Sequence, residues 1–314
     1  MWLVLAFTSA ALLGFYDVFK KQALKGNAVI PVLTLNTLFC SMIFLPFVVL
    51  SVTGCIGADS LFYVPGTTWI EQRYIFLKAV IVLSSWLCGY FAIKHLPLTI
   101  VGPINATRPV MVLLGAIIVF GERLNLYQWT GVLLAILSFY LLSRSGKREG
   151  IDFRHNRWIA LAVLAAVLGA VSGLYDKFLL APVDEGGMGI DRMAVQSYFM
   201  FYQFLMMSIV CWKTFTSFES YAKATPLLHG RGWGWVFWVF LISLFLAAAD
   251  FVYFYALSLP TALISVTSMI RRGSVLVSFF VGAIVFHEKN LRAKAFDLAL
   301  VLLGMVFLWL GSKG

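Results

Sequence analysis

Four ionisable side chains stand inside long apolar runs, where charge is costly: Arg108, Asp250, Arg271 and Arg272. A charged group near the centre of a bilayer costs roughly 2.5–3.5 kcal/mol on insertion scales, so such groups face one another or a water-filled cavity. Three arginines against one aspartate leave two guanidiniums without a protein counter-charge, and an unpaired buried ion is expensive. The planar guanidinium fork matches carboxylate and phosphate. The chemistry open to this set is capture of an acidic group; the other reading is a buried ion pair between Asp250 and one arginine that fixes helix register. Arg271 and Arg272 are adjacent and point about 100° apart on a helix. Only one of them can face a shared cavity.

The surroundings of these charges are polar. Thr267, Arg271, Ser274 and Ser278 follow one helical face, and Thr261, Ser265, Ser268 and Arg272 form a second stripe beside it. Asn105 and Arg108 are i, i+3 neighbours flanked by Pro103 and Pro109. Each proline removes a backbone donor and bends or breaks a helix, so the sequence predicts a hinge or a site at Arg108. Trp86, Tyr90, Tyr202 and Tyr253 could stack on an organic ligand, although an aromatic on an apolar helix more often serves packing or an interfacial belt. Asn36 and Gln203 are further polar candidates for binding, or hydrogen-bonding links between helices. Asp17 and Asp176 fall at equivalent places of an internal repeat and are candidates for gating or coupling. Glu122, Glu288, His95 and His287 lie at helix ends and read as loop residues.

No metal or cofactor is expected. The four cysteines, Cys40, Cys55, Cys88 and Cys211, show no CxxC or Cys/His spacing. There is no GxxxxGK[ST] phosphate loop, His-Glu-x-x-His or Gly-x-Ser-x-Gly. Nucleotide-driven pumping and the commoner hydrolytic chemistries therefore lack their residues, and the chain is not read as an enzyme.

The elements that must position these residues follow from composition. Of 314 residues, 61% are hydrophobic and 12% charged, against roughly 25% charged in soluble domains. A bilayer crossing takes about 20 apolar residues, and such runs occur at roughly 2–19, 29–52, 74–93, 98–120, 126–143, 157–175, 192–212, 234–258, 261–286 and 293–311. None alternates as a barrel strand does. The expected class is an all-α integral membrane protein with ten transmembrane helices. The runs at 126–143 and 293–311 are read as uniformly apolar outer helices.

The halves repeat. Gly14-Phe15-Tyr16-Asp17 returns as Gly173-Leu174-Tyr175-Asp176, His95-Leu96-Pro97 as Ser258-Leu259-Pro260, and Phe120-Gly121-Glu122 as Phe286-His287-Glu288. On this alignment Arg108 matches Arg271 and Tyr90 matches Tyr253. Five spans is an odd number, so the second repeat is inverted, an architecture of secondary transporters. The division is 1–145, a basic linker at 146–156, and 157–314. Loops on one side carry fifteen basic residues and the other side six, Lys78 being counted among the six. That bias puts the richer side in the cytoplasm and both termini outside, in a bacterial-type inner membrane.

The segment LGAIIVFGERLNLYQWTGVLLAILSFYLL, Leu114 to Leu142, and its looser counterpart VGAIVFHEKN resemble the half-repeats of the drug/metabolite transporter superfamily, EamA type. That resemblance implies alternating-access transport of a small organic molecule and leaves the cargo open. Combined with the arginines, the expected cargo bears a carboxylate or phosphate. Partners are then a small-molecule substrate and the bilayer, without nucleic acid, for a monomer. The rival reading is a proton-coupled drug or cation exporter with Asp250 as the coupling acid. More remote rivals are a membrane-embedded enzyme and a lipid-carrier flippase subunit.

Overall fold

The computed structural model describes residues 2–108, 110–111, 125–147, 155–180, 182–183, 186–216, 234–257, 270–271, 273–286 and 291–311. Among them the chain forms α1 (Trp2–Leu24), α2 (Val29–Val52), α3 (Trp69–His95), α4 (Leu98–Ala106), α5 (Leu126–Lys147), α6 (Arg157–Leu180), α7 (Arg192–Thr216), α8 (Gly234–Leu257), α9 (Ser274–Phe286) and α10 (Leu291–Gly311). Five stretches, in α2, α3, α6, α7 and α8, are long and apolar enough to cross a membrane.

Local chemistry sets the ends. Gly26 adopts φ 73°, the left-handed conformation that lets the chain leave α1, while the Asn27 side-chain amide donates to the Ala23 carbonyl at 2.7 Å. Thr68 and Glu71 form a capping box that starts α3. At the other end of α3 the Lys21 ammonium donates to the Ile93 and Leu96 carbonyls at 2.5 and 2.6 Å. This satisfies acceptors that a helix terminus leaves open and ties α1 to α3.

Two expected long helices are interrupted at the charges they carry. The span drawn at 98–120 is helical from Leu98 to Ala106, turns at Thr107, whose hydroxyl donates to the Ile104 carbonyl at 2.7 Å, and is helical again at Arg108, Val110 and Met111. α9 begins at Ser274 after a turn at Gly273, whose N–H donates to the Ile270 carbonyl at 2.8 Å. Arg108 and Arg271 therefore sit at two helix breaks. α5 runs on through Gly146 and Lys147.

The dominant helix pairs are α1 with α8, α3 with α6, α2 with α7, α4 with α9 and α5 with α10, with α1 also against α9. Each joins one helix from the first half to one from the second. Small hydroxyls stitch them: Ser9 donates to the Ala249 carbonyl at 2.7 Å and Ser85 to that of Ala165 at 2.9 Å. The interior carries buried polar residues such as Asn36, Gln196, Gln203 and Ser243, while Val4, Trp69, Leu133 and Ile284 face outward. Polar side chains held inside a mostly apolar core, with apolar side chains outward, is the distribution a bilayer solvent imposes.

Candidate functional site

The polar interior is built around two cation–aromatic groups. In the first, Lys20 and Asp17, one turn apart on α1, form an ion pair at 2.6 Å. The Lys20 ammonium lies 4.1 Å from the Tyr16 ring centroid and 5.2 Å from that of Tyr90 on α3. The Tyr90 hydroxyl is buried without a hydrogen-bond partner. In the second, Arg271 is ion-paired to Asp250 of α8, and its guanidinium lies 4.1 Å over the Tyr253 ring. Tyr90 and Tyr253, matched in the repeat, thus each face a cation.

Arg108 differs from both. Its Nη2 donates to the Asn105 side-chain oxygen at 3.1 Å, and its Nε is buried without a protein partner. No described carboxylate bonds to it. The guanidinium lies flat against Gly169 of α6, where an added Cβ would come within 2.6 Å of Cζ and 2.7 Å of Nη1. The glycine is what leaves room for the arginine.

Arg271 is neutralised by Asp250 and Lys20 by Asp17, which leaves Arg108 without a bonded carboxylate among the described residues. Arg272 and Ser268 lie outside the described residues, as do Thr261, Ser265, Thr267, Pro109, Glu122, His287 and Glu288. Asp176 is paired with Lys78 of α3. Asn36 links α2 to α8, its side-chain oxygen accepting from the Ser243 hydroxyl at 2.9 Å, while its Nδ2 stays unpartnered. Gln203, fully buried, has neither amide atom partnered. Tyr202 turns to α3, donating to the Gln72 side-chain oxygen at 2.7 Å and packing edge-on to Phe76. Trp86 packs, partly buried, on the apolar core.

Sequence reasoning missed three residues here. Lys78 was placed among the loop charges, but it is 2% exposed inside α3. Its position within the apolar run 74–93 was the available signal. Lys20 likewise turns inward, and its i+3 spacing from Asp17 announced the pair. Asp297 is 2% exposed in α10, with Oδ2 unpartnered, so that helix is not uniformly apolar. α10 also takes a hydrogen bond from the Ser138 hydroxyl to the Asp297 carbonyl at 2.6 Å.

The Gly169 contact yields a selective expectation. Gly169→Ala must displace only the far end of a flexible side chain, so the apparent melting temperature should stay close to that of the parent protein. Binding that depends on Arg108 should fall by about tenfold or more, the order expected when a charged hydrogen bond is misplaced. Unchanged ligand affinity in this variant would show that the guanidinium position is immaterial.

Helices long enough to span a bilayer, an apolar exterior and an interior of paired charges define a multi-pass, all-helical membrane protein. Residues 1–144 match the model of the EamA-like transporter family. The chain is 26% identical over 146 residues, 45% of its length and 96% of the other's, to an uncharacterized transporter in the cobO 3′ region of Sinorhizobium sp. Its fold is shared with a solved protein known only as a crystal structure, at 13% identity and a TM-score of 0.64, covering 100% of this chain and 99% of that one.

Proposed function

We propose that the protein is a secondary transporter that moves a small organic anion by alternating access, with Arg108 as the residue that holds its carboxylate or phosphate. The observation that carries this reading is the Arg108 guanidinium, which bonds no carboxylate among the described residues: it sits at a helix break, bonded to Asn105 and fitted against Gly169. A buried charge of this kind takes a counter-ion, and the unpartnered atoms of Tyr90 and Gln203 offer further polar contacts to a bound molecule. Asp250 is engaged by Arg271, which speaks against its serving as a freely exchanging proton carrier.

The architecture behind this reading is ten spans in two inverted five-helix repeats, 1–145 and 157–314. Its support is the pattern of helix pairs. Exchanging each helix with the one five places along turns α1–α8 into α6–α3 and returns α2–α7, α4–α9 and α5–α10 to themselves. A site between two such halves lies where rocking exposes it first to one side and then to the other. The positive-inside bias orients the α1 C-terminus and the α3 C-terminus toward the cytoplasm, in a monomer needing only substrate and bilayer.

The test is a thermal-shift screen of the detergent-purified protein against amino acids, sugar acids, sugar phosphates, nucleobases and organic cations. A ligand of the folded state raises apparent stability by RT ln(1 + [L]/Kd), about 2.7 kcal/mol at a hundredfold excess over Kd. Shifts should be confined to anions and vanish in Arg108→Gln. Stabilisation by cations, or by anions equally in both proteins, overturns the proposal.

A further inference from the structure

The C-terminal half of α1 has two opposed faces. Asp17 and Lys20 point into the charged interior, where they are paired. Phe15, Phe19 and Gln22 follow at i, i+4 and i+7, about half a turn away around the helix, and line a separate cavity of about 850 Å³. The cavity arises because α1 and α9 touch and then part. At their closest approach a Cβ on Gly14 would lie 2.4 Å from the Val277 Cβ and 2.8 Å from the Ser274 carbonyl oxygen. One and two turns further along α9, Val281 and Val285 stand on the cavity wall, and Trp238 of α8 lies behind them.

This cavity belongs to the outer surface of the bundle. Phe15 and Val285 on its wall are 38% and 51% exposed, so it opens sideways, toward hydrocarbon. Its polar end is basic: Lys21, Lys25 and Lys94 line it, and no acidic residue among the described ones does. Lys21 is engaged with the α3 carbonyls, whereas Lys25 is exposed and Lys94 half-buried. A cavity with apolar, lipid-facing walls and a cationic end at one membrane boundary matches one chemistry, that of an acyl chain joined to a phosphate.

We infer that this wedge between α1, α8 and α9 binds an anionic phospholipid, its phosphate at Lys25 and Lys94 and an acyl chain along Phe15, Phe19 and Val281. Basic pockets between membrane helices recognise anionic headgroups, and the apolar wall adds what a free phosphate cannot use. The site lies across α1 from Asp17 and Lys20, so it is independent of the anion site at Arg108. A lipid seated there would brace the diverging ends of α1 and α9, the two helices that Gly14 holds in contact.

Native mass spectrometry of the full-length protein in detergent tests this, with phosphatidylglycerol, phosphatidylcholine of the same chain length, and inorganic phosphate as separate arms. One phosphatidylglycerol should be retained in preference to phosphatidylcholine. The Lys25→Gln/Lys94→Gln double variant should weaken that binding by about thirtyfold, from roughly a factor of five per lysine at a membrane surface. Inorganic phosphate at the same concentration should not displace the lipid. Equal retention of both lipids, a preference that survives the double variant, or displacement by inorganic phosphate would each overturn the assignment. Because both lysines stand at the rim, Arg108-dependent thermal shifts should be unaltered in the double variant, which separates failure here from failure of the transport proposal.

Discussion

Lys78→Met is expected to destabilise the protein by about 3–5 kcal/mol, the range for removing one partner of a buried ion pair. The Lys78 side chain is 3% exposed and paired to Asp176, 98 residues away in sequence. Its ammonium also lies 4.7 Å from the Phe199 ring and 5.3 Å from that of Phe254. One atom thus meets α6, α7 and α8 from its place on α3. Without it the Asp176 carboxylate loses its counter-charge and the aromatic rings lose their cation. The double variant Lys78→Met/Asp176→Asn should recover most of the loss, because it removes both charges together. Apparent melting temperatures of the three purified proteins decide the matter. A single variant that melts like the parent would show that the pair contributes nothing to the fold.

Asp250→Asn is expected to act in two directions at once. Stability should fall by about 3 kcal/mol, the lower end of the same range, since the Arg271 and Asp250 side chains keep 15% and 12% of their surface exposed. The Tyr253 face remains beneath the guanidinium and softens the loss; a desolvated cation–π contact is worth about 2 kcal/mol. Stabilisation by added anions should meanwhile grow, because a second guanidinium then lacks a protein carboxylate. Arg271→Gln should lose stability without that gain. If anion-dependent shifts were the same in Asp250→Asn as in the parent, Arg271 would have no access to the bound anion and Arg108 would act alone.

These expectations trace how the site could and could not be read from sequence. Arg108 and Arg271 were visible as charges in apolar runs, matched in an internal repeat, because a charge of that kind is conspicuous in any window of apolar residues. The break at Thr107 was visible too, through Pro103 and Pro109. Lys78 was hidden by its proximity to the start of a span, where a lysine ordinarily snorkels to the interface. Only the depth at which α3 packs between α6 and α7 turns it inward. Asp297 was passed over for a similar reason, lying four residues into the last apolar run.

What the amino-acid order determined alone was the solvent and the segmentation. Apolar runs of bilayer length, their basic connecting loops and the duplicated motifs are local properties of the chain, and burial in lipid follows from them with no knowledge of packing. What tertiary structure decided was the pairing of charges. Asp17 is neutralised by a neighbour one turn away, but Asp176 by a lysine on another helix and Asp250 by an arginine beyond a helix break. Ion pairs form within 4 Å and are set by which helix faces meet, a quantity that helical periodicity does not carry. Arg108 is left over by that sorting, held against the one glycine of α6 that makes space for it. That no described carboxylate pairs with it is therefore a result of packing, although its position in the chain marked it from the outset.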